Sequence, residues 1–109
     1  MHNPNTITAL MRETQTVVRL TGEIDAGLRG PAGAALSTAL GASRPVVVDM
    51  HDVTFMDSTG VAFLIQCHRA CREAELPLQL EHVPEPARRV LGTLGLDRIL
   101  PGAEPPSAP

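Results

Sequence analysis

Hydrophobic and polar positions follow one another along this chain in short, changing periods. Thr16-Val17-Val18-Arg19-Leu20-Thr21-Gly22-Glu23-Ile24 is β-branched and partly alternating, as an early strand should be. Residues 7–12 are placed as its antiparallel neighbour. Beyond Asp25, a glycine-rich stretch with Gly27 and Gly30 leads to Pro31, a residue suited to the first turn of a helix. Leu36, Ala39 and Leu40 then recur at helical spacing, and Gly41 and Pro45 close that helix. Pro45 to Met50 is a continuous apolar run ending in Asp49-Met50, the pattern of a strand buried on both faces. A loop is expected over 51–56. Asp57-Ser58-Thr59-Gly60 then opens a helix that extends to about Glu75. Leu78 and Leu80 mark a further strand over 77–81, and Pro84 or Pro86 starts a helix carrying Ala87, Val90, Leu91 and Leu94. Ile99-Leu100 is read as a last short strand.

This succession predicts an α/β domain, a mixed four- to five-stranded sheet with helices packed mainly on one face. Residues 1–6 are expected to be a flexible N-terminus, 7–100 the folded domain, and 101–109 a disordered proline-rich tail with nothing to bury. At 109 residues the chain has material for a single core.

Composition narrows the function. The formal net charge is −3, which opposes nucleic-acid binding, since that needs a basic surface. Phe55 and Phe63 are the only aromatics apart from histidine, so no stacking platform for bases is expected. No apolar run approaches the ~20 residues of a membrane span, and no signal-peptide core is evident, so the expected location is cytoplasmic with no membrane partner. The chain has no lysine, which excludes a Walker-type phosphate loop and the lysine of a receiver-type site around Asp49. Cys67 and Cys71 lie four apart with His68 between them, but structural zinc usually needs four ligands. They are read as small core residues, and no metal or cofactor is expected.

The chemistry concentrates at Asp57-Ser58-Thr59-Gly60. Asp57 is placed to cap the helix with its carboxylate. Ser58 then stands at the loop-to-helix corner, where first-turn amides carry partial positive charge that favours a phosphate. Asp57 opposes that phosphate by repulsion. Local physics permits a phosphosite, and the same four residues also read as an ordinary capping sequence. A catalytic serine is not indicated, because the turn is not Gly-x-Ser-x-Gly and no histidine is tied to Ser58 by sequence. At about 100° per residue, Phe63, Leu64, Cys67, Ala70, Cys71 and Ala74 share one arc, the core face. Ser58, Val61, Ile65, Arg69 and Arg72 share another, which is expected to dock a partner or to pack beneath a neighbouring loop.

Three segments together carry a family resemblance. Gly22-Glu23-Ile24-Asp25, Val46-Val47-Val48-Asp49-Met50 and Val53-Thr54-Phe55-Met56-Asp57-Ser58-Thr59-Gly60-Val61 resemble the STAS domain, and in particular bacterial anti-anti-sigma factors. The similarity continues through Ala87-Arg88-Arg89-Val90-Leu91 to Leu94-Gly95-Leu96. It implies a non-enzymatic partner switch that binds an anti-sigma factor and so frees a sigma factor. That anti-sigma factor would itself be an ATP-using serine kinase that phosphorylates Ser58 and is then released. A metal-dependent serine phosphatase would restore the unmodified form. Asp25, Asp57, Thr59 and Gly60 would form the surroundings of the phosphosite. Many family members carry a further C-terminal helix where this chain has its proline-rich tail. The alternative within the same fold is a non-switching STAS accessory subunit of a transport or signalling complex.

Overall fold

A computed structural model describes residues 5–104. Four strands form one sheet in the order β1 (Thr6–Met11), β2 (Thr16–Ile24), β3 (Val46–Met56) and β4 (Leu78–Glu81). β1 pairs antiparallel with β2, while β2, β3 and β4 run parallel. Helices α1 (Arg29–Ala42) and α2 (Ser58–Glu73) make the two crossovers, and α3 (Glu85–Thr93) follows β4. Both crossovers step the same way across the sheet, so right-handed connections lay α1 and α2 on one face. The mixed sheet and one-sided helices expected from the periodicity are therefore present.

The register explains the two faces. Ala9, Val18, Val48 and Leu80 align across all four strands, and the last three are essentially buried beneath the helices. The neighbouring row on the other face is Thr8, Arg19, Asp49 and Glu81. Arg19 and Asp49 there make an ion pair at 3.6 Å, and the His82 Nδ1 lies 3.1 Å from the same carboxylate. Leu20, Leu64, Leu80 and Leu91 are each 1% exposed or less. Side chains of this size contribute about 1.5–3 kcal/mol apiece when fully buried. With two phenylalanines in the whole chain, the core depends on such aliphatic contacts.

Two expectations from the sequence require correction. The segment 51–56 continues β3, paired with β2 through Ile24 and Met56, rather than forming a loop. The ladder is irregular between Arg19 and Thr21 and again between Gly22 and Glu23, each time with an extra residue on β3. Such bulges break the two-residue alternation by which a strand is recognised. Ile99-Leu100 is not a strand. Leu96–Arg98 is a 3-10 turn, and Leu100 closes against the core at 1% exposure.

The edges of the domain also differ. Pro101 to Ala103 are packed rather than loose: the Leu80 N–H donates to the Pro101 carbonyl at 2.7 Å, and Ala103 is wholly buried. The segment thus supplies an acceptor to β4 where a fifth strand was expected. At the other end, Thr6 already belongs to β1, and the Asn5 Oδ1 accepts from the Glu23 N–H at 2.9 Å. The remainder of the two terminal segments, 1–4 and 105–109, lies outside the described residues.

Candidate functional site

β2 and β3 end in register, with Ile24 opposite Met56. The residue after each is an aspartate, and each aspartate begins a helical segment. Asp57 has extended backbone and accepts at one carboxylate oxygen from the Thr59 N–H at 2.8 Å and the Gly60 N–H at 3.4 Å. Asp25 does the same for the 3-10 turn Ala26–Leu28, accepting from the Gly27 N–H at 2.9 Å. The Asp57 N–H donates to the Ile24 carbonyl at 3.3 Å, which ties the second cap to the end of the first strand. The cap expected at Asp57 is therefore made, and the structure adds a second at Asp25.

Gly60 is the point of closest approach. A Cβ there would sit 2.5 Å from the Met56 Cγ, 3.1 Å from the Ile24 Cγ2 and 3.2 Å from the Ile24 carbonyl oxygen. The first turn of α2 can seat on the strand ends only because this residue has no side chain. That seating fixes Ser58, the first helical residue, at the exposed corner. Thr59 is half-buried beside it.

Ser58 and Thr59 stand on the lip of a groove of about 510 Å³ between the starts of α1 and α2. Ile24, Leu28 and Phe63 contribute its apolar part, and Asp25 and Arg29 its charged part. Among the described residues lining this groove there is no histidine.

The proposed docking strip is partly corrected. Val61 is 5% exposed and belongs to the core. Its angular position, next to Gly60 and Leu64, turns it toward the sheet because the inward arc of α2 is wider than the one drawn from sequence. Ala70 is half-buried, and Ala74, which follows the helix, is exposed. Ser58, Ala62, Ile65, Arg69 and Arg72 follow at steps of four and three, the spacing of one continuous helix stripe. All five are exposed except Ile65, which is half-buried. Ala62 thus takes the place given to Val61. Arg69 and Arg72 open onto a second groove of about 450 Å³ that also contains Ile65 and Ile99. Arg29 and Ala62 were missed in the sequence because the first helix was started at Pro31 and a lone alanine carries no chemical signal.

The other candidates are accounted for by packing. Cys67 and Cys71 are both 1% exposed. Burial, and then the neighbouring Cys71, push the Cys67 thiol up to about 12; burial likewise raises Cys71. Both stay protonated near neutrality, which makes them poor nucleophiles and poor ligands. Among the described residues no cluster of three or more His, Cys, Asp or Glu is arranged to hold a metal ion, and no helix is long and apolar enough to cross a membrane.

The architecture and the site have counterparts among known proteins. No curated protein sequence matches the chain. The solved structure of an anti-sigma factor antagonist from Mycobacterium paratuberculosis is 25% identical, with a TM-score of 0.74 over 93% of this chain and 88% of that one. The Bacillus cell fate determinant SpoIIAA in its phosphorylated form superposes with a TM-score of 0.69 at 23% identity, covering 87% of this chain and 88% of that one. The unphosphorylated form of the anti-sigma factor antagonist SpoIIAA gives 0.66 at 21% identity, over 84% and 82%. The match to the family described as Mlab, STAS domain, runs over residues 7–101 and takes in parts of all four strands, both caps and the Ser58 corner. On that match the chain belongs to the STAS-domain family.

Proposed function

We propose that this chain is an anti-sigma factor antagonist that works by partner switching, with Ser58 as the phosphorylated residue. The observation that carries the reading is the placement of Ser58: exposed, held at a capped helix start, and continuous with the exposed stripe of α2. The resemblance to the mycobacterial anti-sigma factor antagonist supports it. In this reading the unmodified face binds an anti-sigma factor that is also a serine kinase. Ser58 Oγ attacks the γ-phosphorus of the kinase's ATP, the bond to the β–γ bridging oxygen breaks, and ADP leaves. The hydroxyl proton goes to a base of the kinase.

The product carries about −1.5 to −2 charges at pH 7. Inside an interface and next to Asp57, a charge of that kind that meets no cation on the partner costs about 2–5 kcal/mol. That corresponds to roughly 30-fold to several thousand-fold in affinity, enough to separate the partners. A metal-dependent serine phosphatase resets the switch. The chain supplies a surface and an acceptor hydroxyl, while catalysis resides in its partners.

A second reading has its own support, because the matched family description is that of the Mlab STAS domain rather than of an antagonist. In it the same fold serves as a non-switching accessory subunit. Affinity capture from native cells with Ser58→Ala and Ser58→Asp baits separates the two. The switch requires an ATP-dependent kinase held by the alanine form and lost from the aspartate form. A transporter or scaffold component held equally by both would replace it with the accessory reading.

A further inference from the structure

Arg29 shares the groove with Ser58, and it is the only cationic side chain among the described residues that line it. Arg19 and Arg89 pair with Asp49 and Glu85, and Arg44 and Arg88 donate to backbone carbonyls. Arg29, like Arg12, Arg69, Arg72 and Arg98, has no ion pair among the described residues, and of these five it alone lines the groove with Ser58. It is also the first residue of α1, whose first turn contains no acidic residue. A cation there is opposed by the helix dipole. The Asp25 carboxylate on the same rim is already engaged by the Gly27 N–H.

A phosphate on Ser58 would enter this setting close to the carboxylate of Asp57, which caps its own helix. Two acidic groups disfavour it, and one unpaired guanidinium on the same groove can neutralise it. Arginine presents a planar fork of donors that matches phosphate oxygens two at a time. We propose that Arg29 is the intramolecular receptor for the phosphoryl group of Ser58. On this view the modified residue and Arg29 form a bridge between the starts of α1 and α2. The bridge spans the groove that both residues line, so phosphorylation closes it to a partner as well as adding charge. This rests on the reading of Ser58 as the modified residue.

The test is a phosphorus NMR titration of the full chain carrying phosphoserine encoded at position 58 during synthesis. The phosphate faces Asp25 and Arg29 across the groove and Asp57 on its own element, so its second ionisation reports their balance. With Arg29 intact that ionisation is expected about half a unit or more below its position in Arg29→Gln, with Arg29→Lys in between. The Arg29 side-chain Nε–H resonance of the unsubstituted protein should also shift when phosphoserine replaces Ser58, a readout that needs no variant at 29. Superimposable titrations and an unmoved Arg29 resonance would overturn the proposal. Encoding the phosphoserine makes this result independent of any kinase. Absence of Ser58 phosphopeptides from native cells would overturn the switch reading instead and leave the Arg29 result standing.

Discussion

Ile24 and Met56 are partners across the parallel β2–β3 ladder, and each is followed by an aspartate that caps the helical turn leaving its strand. This pairing sets the two caps side by side at one edge of the sheet. It also brings both strand ends beneath Gly60, so the positions of Asp25, Asp57 and Ser58 depend on one another.

Gly60→Ala should therefore do more than lower helix flexibility. Met56 can rotate away from the new methyl group, but the Ile24 carbonyl at 3.2 Å is backbone and cannot. The expected cost is about 1–3 kcal/mol, as for other overpacked sites. Urea denaturation measures it. A variant as stable as the wild type would show that α2 is not seated on the strand ends.

Loss of the second cap is separable from loss of charge. Asp57→Ala should destabilise the domain by about 1 kcal/mol, and Asp57→Ser should recover most of that. The comparison is made at neutral pH by thermal melting. Equal melting temperatures for the alanine and serine variants would argue against the observed bonds to Thr59 and Gly60.

The corrected stripe on α2 predicts opposite outcomes for neighbouring residues. Val61→Ala, at a buried position, should lower stability by about 1–3 kcal/mol. Arg69→Glu and Arg72→Glu, both exposed, should change stability by no more than about 0.5 kcal/mol. These two should weaken binding of the partner captured by the Ser58→Ala bait about tenfold. Calorimetric binding beside a urea titration distinguishes the two classes.

Asp49 gives the open face of the sheet a pH dependence. Burial pushes its carboxyl upward, but the His51 N–H, the His82 ring and the Arg19 guanidinium together outweigh that and hold it below the usual range. The native carboxyl thus takes up a proton less readily than the unfolded one. Its contribution to stability is fully present above the unfolded value of about 4 and is lost as pH falls through the lower folded value. Asp49→Asn should cost about 1 kcal/mol at pH 7. The difference from wild type should shrink as the pH is lowered below about 4. A constant difference from pH 7 to pH 2 would contradict this assignment.

The C-terminal segment offers a further check. Gly102 has φ of +93°, and a Cβ there would run into the Leu80 carbonyl oxygen. Gly102→Ala should cost about 2 kcal/mol or more, from backbone strain and displacement of the turn. Thermal melting of this variant tests whether residues 101–103 belong to the folded unit.

Much of this protein was legible from residue order because much of it is decided locally. The period-two pattern of β2 and the apolar run 46–50 mark strands whatever surrounds them. Asp57 caps α2 through bonds made two and three residues away, so the corner at Ser58 could be placed from sequence. Where non-local packing decided, the sequence was silent or misleading. The extension of β3 through 51–56 is set by pairing with β2 over two bulges, and those obscure the alternation. Val61 is buried because the inward arc of α2 is set by how the helix seats on the sheet through Gly60. Ala103 is buried because Leu80, twenty-three residues earlier, offers its N–H to Pro101. Arg29 and Ser58 line one groove only because two parallel strands bring two helix starts together. Periodicity and capping act within a few residues and can be read along the chain. Register, burial and the composition of a cleft are relations between distant segments, and they exist only once the chain has folded.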